Sequence, residues 1–164
     1  MKSKKCTLGL LLFYLAALTW IIVFKLQVPA ADLPHLRTIN LIPFADPMIV
    51  NGAVSVGEMV QNLLAFVPYG LLLHVLWEEK PLFQQILPIV CTSLLFELLQ
   101  FLFAIGGTDI TDLITNSCGG CLGIFLAIVL SRLSGRHWRT ILNTVCLTGA
   151  VLLSALLAVV FAVN

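Results

Sequence analysis

The chain has 164 residues, of which 60% are hydrophobic and 10% are charged, and its formal net charge at pH 7 is +1. Soluble domains carry roughly 25% charged residues and disordered chains are poor in apolar residues, so this composition excludes both classes. The balanced charge offers no basic face for nucleic acid. We predict an all-α, polytopic transmembrane helical bundle, organised as one domain over residues 1–164.

Five apolar runs are long enough to cross a bilayer, which takes roughly 20 residues of helix. They are residues 7–24, 59–77, 83–103, 110–130 and 141–161. The first run follows several lysines, as a signal peptide would. Its 18 residues exceed the roughly 7–15 apolar residues of a signal sequence, which favours an uncleaved first span.

The basic residues predict the orientation, because Lys and Arg are retained on the cytoplasmic side. With the N-terminus inside, the outer segments hold Lys25 and Arg37. The inner segments hold the other seven, which are Lys2, Lys4, Lys5, Lys80, Arg132, Arg136 and Arg139. We therefore expect a multi-pass protein of the cell membrane, with the N-terminus inside and the C-terminus outside.

The first outer segment, residues 25–58, contains two short apolar pieces, residues 40–44 and 48–50. They are too apolar for a solvated loop and too short to span the membrane. Backbone of this kind is tolerated at membrane depth where protein covers it. We expect these pieces to lie on the outer interface or to dip between helices.

The third apolar run contains a carboxylate, Glu97. Near the bilayer centre such a group costs about 2.5–3.5 kcal/mol, so it usually faces the bundle interior and has a partner or a function. Ser93, Glu97 and Gln100 are spaced i, i+4, i+7 and share one helix face. With the predicted orientation, Glu97 and Gln100 lie in the outer half of this span.

The fourth run begins with polar residues on one face, since Asp109, Asp112 and Asn116 are spaced i, i+3, i+7. Asp109 or Thr108 can cap the N-terminus of this helix, where the helix dipole favours negative charge. The polar face therefore lies at the outer end of the predicted span.

Further along this run, Gly119, Gly120 and Gly123 let another helix approach closely, within the bundle or in a homo-oligomer. Cys118 and Cys121 form a single CxxC pair without a second pair or a nearby His. We interpret these cysteines as packing residues rather than as a metal or redox site.

The second run begins with Asn62 and contains Pro68, which should free a backbone carbonyl in mid-membrane. His74 lies off the Asn62 face, and we interpret it as a packed or interfacial residue. Polar side chains thus occur at the outer ends of three spans and in the segment before them. The candidate ligand-binding residues are Arg37, Asn40, Asn62, Glu97, Gln100, Asp109, Asp112 and Asn116.

The competing interpretation is a satisfied polar network that locks the helices together, with Arg37 or a helix N-terminus neutralising the acids. The cluster contains several more acids than bases at one predicted depth. This excess favours a binding function.

Four motifs in order resemble the VanZ-like family and lie within residues 37–130. They are Arg37-x-x-Asn40-Leu-Ile-Pro-Phe44, Asn62-Leu-Leu-Ala-Phe66-x-Pro68-x-Gly70, Ser93-x-x-x-Glu97-x-x-Gln100 and Thr108-Asp-Ile-Thr-Asp112-Leu-Ile-x-Asn116-x-x-Gly119-Gly120. Many relatives carry Gly-Arg before the last motif and Asp-Asp at its end. This chain has Gly107-Thr108 and Thr111-Asp112 instead, so a cation expected beside the acids is missing at that point.

The resemblance implies a small integral membrane protein of Gram-positive-type bacteria, in a family associated with low-level resistance to teicoplanin, a glycopeptide antibiotic with a lipid tail. The first hypothesis is that the outer-leaflet site engages a lipid-linked molecule. This partner could be a cell-wall precursor, another membrane lipid, or the acyl tail of the lipoglycopeptide itself.

Two other hypotheses stay open. A membrane enzyme could modify a lipid or a lipid-linked sugar, with Glu97 or Asp112 as the catalytic base, or with Asp109 and Asp112 holding a divalent metal. No nucleophile–base pair stands out, and we predict no metal and no cofactor. A small transporter or channel is the third hypothesis, although no inverted repeat is visible.

Overall fold

The computed structural model describes residues 4–24, 38–44, 49–50, 53–54, 56–105 and 107–163. Arg37, a predicted site residue, lies outside the described residues. The described chain forms five long helices, which are α1 Lys4–Val23, α2 Val56–Trp77, α3 Leu82–Phe103, α4 Ile110–Ser134 and α5 Trp138–Val163. A 3₁₀ turn at Gly135–His137 joins the last two.

Within the described residues, four short strands accompany the helices. They are β1 Ile39–Asn40, β2 Ile49–Val50, β3 Ala53–Val54 and β4 Thr108–Asp109. Strands β2 and β3 pair antiparallel, whereas β1 pairs in parallel with the distant β4. The last two residues of the apolar piece at residues 48–50 therefore form β2, and Met48 lies outside the described residues.

The predicted all-α architecture is confirmed. Among the described residues, α1 to α4 are long and apolar enough to cross a membrane. The fifth helix forms over and beyond the predicted run, residues 141–161, but its crossing of the membrane stays a prediction. The orientation of the termini also stays a prediction.

Charged contacts gather at one end of the bundle, where α1 and α5 begin and the α2–α3 turn lies. Lys4 Nζ is 3.5 Å from Glu79 Oε1, and Arg139 pairs with Glu78. The Arg139 guanidinium also lies over the Trp138 ring, 5.5 Å from its centroid. We call this the Glu78 end. At the opposite end, the Asp109 end, α1 and α3 finish while α2 and α4 begin.

The closest helix pair is α2 and α4, whose backbones touch. A Cβ atom added at Gly119 or Gly123 would collide with the carbonyl oxygen of Leu63 or Val67, and one at Gly70 would collide with that of Gly120. Only glycine permits this approach. The predicted close approach at the α4 glycines therefore occurs, and its partner is α2 of the same chain.

A homo-oligomer through Gly119, Gly120 and Gly123 stays a prediction. All three glycines are buried in the chain. Such an oligomer would have to displace α2 from Gly119 and Gly123, and Ile89 of α3 from Gly120.

The core lies between α1, α2 and α3, where Leu18, Phe66 and Ile89 are fully buried. Helix α2 runs through Pro68 without a break. Proline lacks an N–H, so it weakens the backbone ladder in the turn before it. The carbonyl that loses its donor is that of Leu64, and beside it the Tyr14 hydroxyl of α1 donates a hydrogen bond of 2.6 Å to the Ala65 carbonyl.

The structure agrees with the interpretation of His74 as a packed residue. Its side chain is buried, and its Nδ1 is 2.8 Å from Gln85 Oε1. Because Gln85 Nε2 donates to the Lys80 carbonyl, the Gln85 oxygen is the acceptor and the imidazole Nδ1–H is the donor. His74 therefore ties α2 to the beginning of α3 at the Glu78 end.

Candidate functional site

The turn between α3 and α4 folds the chain back over the end of α3. Ala104 takes a left-handed conformation (φ 56°) after the last residue of α3, and Ile105 N donates to the Gln100 carbonyl at 3.0 Å. This reversal is the usual way to satisfy the last carbonyls of a helix. It brings β4 beside the last turns of α3.

Glu97 accepts a hydrogen bond from the backbone of β4. The N–H of Asp109 donates to Glu97 Oε2 at 2.9 Å, and the Thr108 hydroxyl donates to the Glu97 carbonyl at 3.2 Å. The Glu97 side chain is 2% exposed. A buried carboxylate is thus stabilised by an amide at the start of α4, where the helix dipole is positive.

Strand β1 brings Asn40 to the same place. Ile39 pairs with Thr108 and Asn40 with Asp109, and Thr108 N donates to the Thr38 carbonyl at 2.8 Å. Because of this register, Asn40 Nδ2 donates to Asp109 Oδ2 at 3.2 Å.

Asp109 is the N-cap of α4, as predicted. Its Oδ1 accepts a hydrogen bond of 2.7 Å from Thr111 N, while its Oδ2 accepts from Asn40. A capping carboxylate satisfies one of the free N–H groups of the first turn. Both oxygens of Asp109 are therefore engaged in holding the loop and the helix together.

Asp112 lies one turn further along α4 and faces α2. Asn62 Nδ2 donates to Asp112 Oδ1 at 2.8 Å. Asn62 is buried, whereas Asp112 is only partly buried. Of the two acids named as base candidates, Glu97 and Asp112, the second is the more accessible.

Asn116 and Gln100 point to other partners. Asn116 Nδ2 donates to Ser93 Oγ at 3.0 Å, between α4 and α3, and Gln100 Nε2 donates to the Ile22 carbonyl at 2.9 Å, towards α1. The amide oxygens of Asn116 and Gln100 have no hydrogen-bond partner among the described residues. Their hydrogen bonds join α4 to α3 and α3 to α1, rather than the residues around Asp109.

The structure thus brings together five of the predicted site residues at the Asp109 end, and we call them the acidic cluster. They are Asn40, Asn62, Glu97, Asp109 and Asp112. In the described part of the chain, no group of three His, Cys, Asp or Glu side chains could hold a metal ion.

Sequence reasoning missed Thr111. Its hydroxyl oxygen accepts a hydrogen bond of 3.1 Å from Phe44 N, which fastens the segment after β1 to the first turn of α4. Its position beside the capping Asp109 is the sole sequence signal, because the partner lies 67 residues away.

A separate apolar cavity of about 270 Å³ lies between α1, α2 and α5. Its walls are Leu10, Phe13, Tyr14, Pro68, Leu71, Leu72, Val145, Cys146, Gly149 and Ala150. None of the acidic cluster lines it. The cavity is therefore distinct from the candidate site.

Comparisons with known proteins were consistent with one another. A family model described as VanZ/LLP1 matches residues 11–131, which include α2, α3 and the acidic cluster. The chain is 40% identical over 160 residues to Protein VanZ from Enterococcus faecium, covering 96% of this chain and 93% of that protein. No solved structure gave a significant match.

Proposed function

Because the chain belongs to the VanZ/LLP1 family, we propose that it is a bacterial cell-membrane protein that contributes to teicoplanin resistance. The acidic cluster is the site of this function. It engages a lipid-linked molecule at the outer leaflet.

The observation that carries the proposal is the position of the cluster at one end of membrane-length helices. Glu97 precedes the C-terminus of α3 by six residues, which corresponds to roughly 9 Å of helix. Asp109 caps the N-terminus of α4 and Asp112 lies in its first turn. Polar groups at a helix end, such as Asp109 and Asp112, meet lipid headgroups, whereas Glu97 lies deeper and inside the bundle.

The chemistry of these side chains suits a headgroup that contains a sugar or a phosphate. Carboxylate oxygens accept hydrogen bonds from sugar hydroxyls, and the Asn40 and Asn62 amides both donate and accept. A phosphate would need a bridging cation beside Asp112. The apolar outer surface of the helices accommodates the attached lipid chain.

The test is antibiotic susceptibility in a Gram-positive host that lacks the protein. Wild type and Asp112→Asn are expressed at equal membrane levels and challenged with teicoplanin and with vancomycin, which has no lipid tail. We expect wild type to protect against teicoplanin alone and Asp112→Asn to lose this protection. Asparagine keeps the size of the side chain and an oxygen for the Asn62 bond, so the fold should persist.

Glu79→Gln is the matched control, because it also neutralises one acid but lies at the Glu78 end, where its side chain is 81% exposed. An exposed ion pair contributes little to stability, so this variant should protect as wild type does. Full protection by both Asp112→Asn and Glu97→Gln would overturn the proposal. Absence of protection by wild type would also overturn it.

A lipid-modifying enzyme is the second candidate, favoured by one observation. Two carboxylates of unequal burial, Glu97 and Asp112, flank the N-terminus of α4, and unequal environments are how acid and base roles are separated in enzymes. Lipid extracts from cells that express wild type or Asp112→Asn distinguish the two candidates. A lipid species that appears with wild type alone would favour the enzyme.

A further inference from the structure

The segment that follows Thr38 is apolar and yet exposed. The exposed fractions are 59% for Ile39, 69% for Leu41, 67% for Ile42 and 55% for Phe44. The side chains therefore point away from the helices. Of the two arrangements expected for this piece, insertion between helices does not occur.

Hydrogen bonds hold the segment in this exposed position. Its first two residues pair with β4, Ile42 N donates to Asn40 Oδ1 at 3.1 Å, and Phe44 N donates to the Thr111 hydroxyl. Phe44 has a φ of 59°, a conformation that is unfavourable for a bulky side chain. The backbone is thus fixed in a shape that presents apolar groups outwards.

The neighbouring surface suggests what covers these groups. The exposed apolar side of α3 continues to its last turn, where Leu102 is 56% and Phe103 is 63% exposed. Thr108, which pairs with Ile39, follows Phe103 by five residues. The apolar side chains of the segment therefore extend a surface that faces acyl chains, and residues 38–44 carry no charged side chain that would resist insertion.

We propose that residues 39–44 form a wedge that inserts into the lipid leaflet at the Asp109 end and contacts the acyl chains there. Asn40 lies within the wedge and bonds to Asp109, so insertion of the wedge fixes the depth of the acidic cluster at the headgroups. The wedge adds detail to the proposed function. That the leaflet is the outer one rests on the proposed function, whereas the insertion of residues 39–44 into lipid does not.

The occupant is lipid rather than a protein partner, because the surface is continuous with the sides of helices that are long enough to span a membrane. Amphipathic segments with apolar side chains on one side bury that side at the boundary between headgroups and acyl chains. A second copy of the chain or another protein would instead shield the wedge from lipid.

The test uses fluorescent labels on the full-length chain in phospholipid vesicles. The five cysteines are first replaced by alanine, at positions Cys6, Cys91, Cys118, Cys121 and Cys146. Leu41→Cys and Ile42→Cys are then labelled separately with an environment-sensitive nitrobenzoxadiazole dye. Glu79→Cys, in the turn at the Glu78 end, is the control.

We expect nitroxide groups on lipid acyl chains to quench the dye at positions 41 and 42 but not at 79. Dithionite in the outer solution should bleach the dye at 79 in the fraction of molecules whose Glu78 end faces outwards. It should fail to bleach the dye at 41 and 42. Dye that is bleached at 41 and 42, or that is shielded from both reagents as in a protein interface, would overturn the wedge.

These outcomes are separate from those of the resistance assay. Lipid quenching at positions 41 and 42 together with full protection by both Asp112→Asn and Glu97→Gln would leave the wedge standing and remove the proposed function. Bleaching at both positions together with loss of protection by Asp112→Asn would overturn the wedge and leave the proposed function standing.

Discussion

The polar residues inside the bundle differ in how well their hydrogen-bonding groups are satisfied. Glu97 and Asp109 obtain donors from the backbone at the start of α4. The pair formed by Ser93 and Asn116 is fully buried, and the Asn116 oxygen has no partner among the described residues. The single bond from Asn116 to Ser93 therefore matters for how α3 and α4 pack.

Ser93→Ala should lower the stability of the protein. It removes the sole acceptor of the Asn116 amide among the described residues, and a hydrogen bond of this kind contributes about 0.5–1.5 kcal/mol. The measurement is the midpoint of thermal unfolding in detergent.

Ser154→Ala is the matched control, because the Ser154 hydroxyl bonds to the Ala150 carbonyl on an exposed part of α5. Its unfolding midpoint should stay within error of wild type. Equal midpoints for the two variants would show that the bond between α3 and α4 is dispensable.

At the scale of the elements, the contact between α2 and α4 sets the geometry of the candidate site. Asn62 reaches Asp112 because the backbones of α2 and α4 are close together. Gly119 and Gly123, which follow Asp112 along α4, allow this approach. If the two helices separated, Asn62 would lose this contact. These glycines therefore hold α2 and α4 at the separation that the acidic cluster needs, although they do not belong to the cluster.

Gly123→Ala should destabilise the protein and increase its aggregation in detergent. The added methyl group would meet the Val67 carbonyl oxygen, and overpacking of this kind costs typically about 1–3 kcal/mol. Thermal unfolding and size-exclusion chromatography measure the effect.

Gly149→Ala makes the same chemical change where nothing lies within 4 Å of the added atom. This control should be neutral or slightly stabilising, because alanine favours a helix over glycine by roughly 1 kcal/mol. If Gly123→Ala unfolded at the same temperature as Gly149→Ala, the backbone contact between α2 and α4 would be contradicted.

The sequence predicted which segments form helices more accurately than it predicted where those helices end. Apolar runs mark the part of a helix that crosses lipid, but the backbone ladder continues through polar flanks, so α4 extends past residue 130 to Ser134. Helical spacing predicted one face for Asp109, Asp112 and Asn116, but Asp109 lies before α4 in an extended conformation as its N-cap. The pairing of β1 with β4 could not be predicted, because two-residue strands carry no periodic signal and the Asn40–Asp109 bond spans 69 residues.

At the scale of the whole molecule, the two ends of the bundle differ in charge. The Glu78 end holds Lys4, Lys80 and Arg139, with Glu78 and Glu79 as partners or neighbours. The described part of the Asp109 end holds the acids of the cluster and the apolar wedge. By the positive-inside rule, this asymmetry predicts that the acidic cluster faces the outside of the cell.

The most direct test of the account is therefore the side of the membrane on which the acidic cluster lies. Thr38→Cys, beside the cluster, and Lys80→Cys, at the Glu78 end, are placed separately in the cysteine-free chain, since both residues are exposed. Intact cells are treated with a membrane-impermeant maleimide. We predict labelling at position 38 in intact cells and at position 80 only after permeabilisation, whereas the reverse pattern would contradict an outer-leaflet site.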